Sequence, residues 1–109
     1  MWFIFPQWKG LGESPTANFY AIASRREAGT YLAHAILGSR MMECTQLVNL
    51  VEGCTVQQIF GYPDDLKFRS SMTLFANVAG DSTIFWRALE KYFGGKQDQR
   101  TLGLMKLDT

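Results

Sequence analysis

The sequence predicts an all-α fold, a compact orthogonal array of about six helices in one domain over residues 1–109. Three observations carry that prediction. Helix-start motifs recur along the chain, and three of the helices are closed downstream by glycine. Apolar residues between them fall at steps of three and four. No window alternates at period two, so the only extended structure expected is one short segment at the start.

The elements follow in chain order. Residues 2–5, Trp-Phe-Ile-Phe, run into Pro6 and read as a buried extended stretch. Gly10-Leu11-Gly12 is a loop. Ser14 can cap a helix with Pro15 at its first position, where the missing N–H costs nothing. That helix should carry Tyr20, Ala21 and Ile22 and end near Ser24. Ser24-Arg25-Arg26-Glu27 is a capping box opening a helix with Tyr31, Leu32 and Ala35. From Leu37 the apolar positions 37, 41, 44, 47, 48 and 51 make one amphipathic stripe, ended by Gly53. Thr55-Val56-Gln57-Gln58 is a second capping box, for a short helix stopped by Gly61. Asp64 and Asp65 after Pro63 complement the exposed N–H groups of a helix start, and Phe68, Met72 and Phe75 follow at helical spacing. Phe85, Leu89, Tyr92 and Phe93 mark a helix closed by Gly94-Gly95. Asp98 can cap a last one with Leu102 and Met105.

Composition narrows function more by exclusion than by assignment. Eleven Lys and Arg against ten Asp and Glu leave a net charge of +1 with the signs interspersed. Arg25 and Arg26 are too short a run for the basic face of a nucleic-acid binder. Met1-Trp2-Phe3-Ile4-Phe5 is too short for a signal-peptide core or a membrane span. Cys44 and Cys54 have no metal-ligand spacing. Ten residues apart on one helix, they would stand about 15 Å apart along its axis, beyond disulfide reach. A reducing, cytoplasmic setting is expected, and no metal or cofactor is expected.

Several motifs together carry a resemblance that covers nearly the whole chain. They are Met1-Trp2-Phe3-Ile4-Phe5-Pro6-Gln7, Gly10-Leu11-Gly12, Tyr20-Ala21-Ile22, Tyr31-Leu32-Ala33-His34 and Leu37-Gly38. Ile59-Phe60-Gly61, residues 63–75 (PDDLKFRSSMTLF) and Tyr92-Phe93-Gly94-Gly95 complete the set. On these the chain resembles the bacterial family called domain of unknown function 1810, whose members are sometimes mislabelled calpastatin. The resemblance implies a mainly helical fold and no established activity. Members usually carry a further N-terminal helix and a Ser-His-Trp element before the Trp-Phe-Ile-Phe-Pro-Gln motif. A chain starting inside that motif is expected to leave apolar surface uncovered, which invites a homodimer or a protein partner. The order of helices is also similar to the NADAR families, a likeness that implies NAD or ADP-ribose derivatives as ligands.

Candidate ligand-binding residues form two groups. In the first, Lys67 and Arg69 would hold phosphate. Asp64, Asp65, Ser70, Ser71 and Thr73 would offer acceptors and hydroxyls, the carboxylates also serving as acid or base. The ordinary explanation gives the aspartates to the helix N-terminus, pairs Asp65 with Arg69, and makes the serines points of close helix approach. In the second group, Trp2 stacks on a ring and Gln7 reads its edge, against a plain buried aromatic segment. His34 fits a helix-end or surface position, Cys44 the core, and Cys54 an exposed turn. The leading expectation is a small-ligand-binding domain, acting on a nucleotide or ADP-ribose-like compound. Its rival is a non-catalytic interaction module, a dimeric scaffold or an inhibitor of another protein, using the N-terminal aromatic segment.

Overall fold

Capping chemistry lays out the helices. In the computed structural model, which describes residues 4–12 and 14–108, the described residues form seven α-helices and a closing 3-10 turn. They are α1 (Pro15–Tyr20), α2 (Arg25–Ala33), α3 (Leu37–Leu50), α4 (Val56–Phe60), α5 (Asp64–Ala76), α6 (Thr83–Phe93) and α7 (Gln99–Met105), followed by Lys106–Asp108. The all-α expectation holds. The radius of gyration, 12.8 Å, matches the roughly 13 Å of a compact domain this long.

The box at Thr55 forms in full. Gln58 N donates to Thr55 Oγ1 at 3.1 Å, and Thr55 N donates to Gln58 Oε1 at 2.8 Å. At Ser24, Glu27 N donates to Ser24 Oγ at 3.0 Å, while the Glu27 carboxylate reaches one residue further back and accepts from Ala23 N at 3.1 Å. His34 closes α2, and its Nδ1 accepts from Ile36 N at 3.2 Å and Leu37 N at 3.1 Å. A helix-end histidine thus covers donors that the start of α3 leaves orphaned. Gly94 and Gly95, with φ of 62° and 79°, stop α6, and Gly95 N returns to Leu89 O at 3.0 Å.

Three boundaries depart from the reading above. The Pro15 helix ends at Tyr20, and Ile22 is extended. Ile22 N donates to Gln7 O and Lys9 N to Ile22 O, each at 2.8 Å, so Trp8 and Ile22 make an isolated parallel bridge. Among the described residues the extended segment therefore falls at residues 6–8 and not at Ile4 and Phe5. Ile4 and Phe5 lie in a turn, and Trp2 and Phe3 are outside the described residues. Ala35 lies beyond the end of α2. On α3 the buried positions are Gly38, Met41 and Thr45, and Leu47 is 58% exposed. Gly38 sets this rotation, because its backbone lies against the end of α2. A Cβ there would sit 1.9 Å from Leu32 O.

The core forms around α5. Phe68, Met72, Leu74 and Phe75 are fully buried, as are Ser71 and Thr73. Phe68 stacks on Phe60 at 4.8 Å and takes the edge of Phe5 at 5.1 Å. Each such side chain is worth about 1.5–3 kcal/mol in removed apolar surface. From Phe68 onward α5 is enclosed nearly all round, so its exposed chemistry is confined to its first two turns.

Candidate functional site

The polar side chains of α5 divide by where the helix turns them. Arg69, Ser70 and Thr73 grip the chain that leads into α7. Arg69 Nε donates to Lys96 O at 2.9 Å and Nη2 to Gln97 O at 3.0 Å, while its guanidinium stands 5.6 Å from the Phe93 ring. Thr73 Oγ1 donates to Arg69 O and accepts from Asp98 N, both at 2.9 Å. Asp98 is the N-cap of α7. Its Oδ2 accepts from Thr101 N at 3.2 Å, from the Thr101 hydroxyl, and from Ser70 Oγ at 3.0 Å. Ser70 and Thr101 thereby hold the carboxylate, while Thr73 and Arg69 hold the backbone that carries it.

This clamp forms one wall of a cavity of about 250 Å³. Pro63, Leu66, Lys67 and Ser70 line it from the start of α5, Asp98 and Arg100 from α7, and Gln7, Leu11 and Gly12 from the N-terminal segment. Positions 63, 66, 67 and 70 share one helical face, which explains why Asp65 and Arg69 do not line it; Thr73 follows on that face but is fully buried beneath the Asp98 backbone. Gln7 is only 9% exposed. Its backbone carbonyl is bonded to Ile22, yet no described residue hydrogen-bonds its side-chain amide. The amide is not sealed from solvent, so on the cavity wall its two N–H donors and its carbonyl are open to a ligand.

Of the nine candidates read from sequence, Gln7, Lys67 and Ser70 converge on this cavity. Trp2 lies outside the described residues. Arg69 does not face a ligand, because both its bonding nitrogens are spent on backbone carbonyls. Asp64 pairs with Lys67 at 3.6 Å on the surface, an interaction of little energetic worth. The expected Asp65–Arg69 pair does not form, and Asp65 Oδ1 is buried with no partner among the described residues. Ser71 is sealed in the core with its Oγ also unpaired. The residues sequence reasoning missed are Asp98, which it read only as a cap, and Arg100, whose Nη2 donates to Gly10 O at 3.2 Å.

A larger open groove, about 760 Å³, lies between α3 and α6. Its fixed donors serve the scaffold, while Asn49 Oδ1 is buried with no partner among the described residues. Asn49 Nδ2 donates to Ile84 O at 3.0 Å, and Lys91 Nζ donates to Asn49 O at 2.5 Å and Val51 O at 2.6 Å. Among the described residues no group of three His, Cys, Asp or Glu side chains is placed to hold a metal ion. Cys44 and Cys54 are both free, half-buried and exposed respectively. No helix among the described residues is long and apolar enough to cross a membrane.

A helical domain with a small mixed-polarity cavity at two helix starts is the class that the fold defines. The chain belongs to the family described as Protein of unknown function (DUF1810), which it matches over residues 1–105. Among solved structures it is similar to the crystal structure of the conserved hypothetical protein Rv1873 from Mycobacterium tuberculosis, at 52% sequence identity and a TM-score of 0.94. The similarity covers 96% of this chain and 75% of that one. The comparison with curated proteins returns no match.

Proposed function

We propose that the protein is a small-ligand-binding domain and that its ligand, a compact anion, sits between α5, α7 and the N-terminal segment. The observation that carries this reading is the convergence of Gln7, Lys67, Ser70, Asp98 and Arg100 on one cavity, with the Gln7 amide bonded to no described residue. Lys67 and Arg100 on the same walls favour an anionic group. The volume limits the ligand's size. About 250 Å³ is room for roughly eight waters at ~30 Å³ each, below the ~300–1,000 Å³ of sites for drug-sized molecules. A nucleotide or an ADP-ribose-like compound would therefore insert one end only.

A thermal-shift series with inorganic phosphate, ribose 5-phosphate, AMP, NAD and ADP-ribose tests this. A ligand at 100 times its Kd stabilises by about 2.7 kcal/mol, which raises Tm by roughly 10 °C or more for a domain of this length. Gln7→Leu should abolish the shift without lowering the Tm of the free protein, since the amide makes no bond to lose. No shift with any of these compounds removes the proposal.

A second reading, a dimeric interaction module, is favoured by one feature. Leu107, 84% exposed, lines a shallow hollow with Trp8, Ala23 and Leu104 beside the N-terminal segment. Light scattering at high concentration decides it, and a strict monomer argues against it.

A further inference from the structure

We infer that Asp98 selects the ligand, and that the cavity takes a small anion which also carries hydroxyl groups, of the sugar phosphate or sugar acid class. This rests on the cavity reading above and adds the class of molecule and the residue that discriminates it. A carboxylate offers acceptor sites on two oxygens. In Asp98 the structure commits one of them, Oδ2, to Ser70 Oγ, Thr101 N and the Thr101 hydroxyl. Oδ1 receives no hydrogen bond from any described residue, although the side chain lines the cavity. The three donors on Oδ2 and the Thr73 hydroxyl on Asp98 N hold this group in place before a ligand arrives, so little ordering is left to be done on binding.

A carboxylate only accepts, and it repels an anionic oxygen. The part of the ligand that meets Asp98 must therefore donate. Gln7, on the same cavity, offers both an N–H and a carbonyl, which suits a hydroxyl in either direction. Arg100 and Lys67 line the same cavity and supply positive charge for the anionic group, Lys67 while paired with Asp64. Arg100 uses Nη2 on Gly10 O at 3.2 Å and has further donors beyond it. Bare phosphate would meet the cations and leave Asp98 and Gln7 without donors. A neutral sugar would satisfy Asp98 and leave the cations unmatched. A short hydroxylated anion answers both ends within about 250 Å³.

Calorimetric titration of the full chain with ribose 5-phosphate, n-pentyl phosphate and L-glutamate tests the inference. Ribose 5-phosphate should bind about tenfold tighter than pentyl phosphate, the discrimination expected of one hydrogen bond to a charged group. Asp98→Asn keeps a side-chain oxygen for the Thr101 N–H, so the α7 cap survives, and it should reduce that preference to about threefold or less, because the position of Oδ1 is then taken by an NH2 group that donates and cannot accept from a ligand hydroxyl. Equal binding of the two phosphates, a preference that survives in Asp98→Asn, or tighter binding of glutamate than of either phosphate overturns the inference while leaving the cavity reading intact. Binding of none of the three removes the cavity reading and this inference together. Should Asp98→Asn fold poorly, the ratio measured on the unsubstituted protein decides alone.

Discussion

Thr73→Val isolates the clamp that orients Asp98. Threonine and valine have nearly the same shape, so the fully buried site is neither emptied nor overfilled. The hydroxyl, however, accepts from Asp98 N at 2.9 Å, and valine leaves that N–H without its acceptor. An orphaned, partly buried donor costs about 1–3 kcal/mol. Taking ~2 kcal/mol, Tm should fall by about 8–12 °C in a domain of this length. Thr45→Val is the matched control. Thr45 is equally buried, but its hydroxyl only donates to Met41 O, at 2.8 Å within its own helix. Removing it orphans no donor, and the expected loss is below about 0.5 kcal/mol. Calorimetric melting of both variants against the parent reads the difference. Equal losses would refute the claim that Thr73 acts as an acceptor for the α7 start.

Three further predictions concern the scaffold. Gly38→Ala places a Cβ where Leu32 O now lies, at 1.9 Å, so α2 and α3 must separate. Urea unfolding should show a loss of about 3 kcal/mol, the top of the overpacking range, and an unchanged midpoint would contradict the packing described. Lys91→Met removes the ammonium that binds Asn49 O and Val51 O at the end of α3. These carbonyls are near the surface, so the expected cost is about 1 kcal/mol, read as a shifted urea midpoint. Tyr31 titrates in the alkaline range, and burial raises its phenol above 10.0, with Arg40 opposing and Cys44 adding to the effect. The folded state thus holds this proton more tightly than the unfolded chain. Its contribution to stability is complete below pH 10 and is lost as pH rises through the folded value. Tyr31→Phe should flatten that alkaline decline, and identical pH profiles would exclude Tyr31 as its source.

Local signals in the chain carried most of the helix boundaries. Thr55 with Gln58, Ser24 with Glu27, Asp98, and the glycines at 61, 94 and 95 each act through neighbours within a few residues, so their effect is visible in sequence. Ile22 and Leu47 were misjudged because nonlocal contacts decide them. A bridge to Trp8 takes Ile22 out of its helix, and the approach of Gly38 to Leu32 turns Leu47 outward. The candidate site was half legible for the same reason. Residues 63–75 stand out, but helical phase separates Lys67 and Ser70, which face the cavity, from Arg69, and the chain entering α7 covers Thr73. Arg100 gave no sign of its role, since its place beside Gly10 depends on the two ends of the chain meeting. Asp98 was legible as a cap, and its free oxygen was not.

The central claim is that the cavity shared by α5, α7 and the N-terminal segment binds a ligand. Amide chemical-shift mapping of the labelled full chain, titrated with ribose 5-phosphate, tests it most directly. The account predicts that the largest perturbations fall on Gly12, Lys67, Ser70, Asp98 and Arg100, together with the side-chain amide of Gln7. Perturbations centred on Leu50, Arg87 and Glu90 of the α3–α6 groove, or none at saturating concentration, would contradict it.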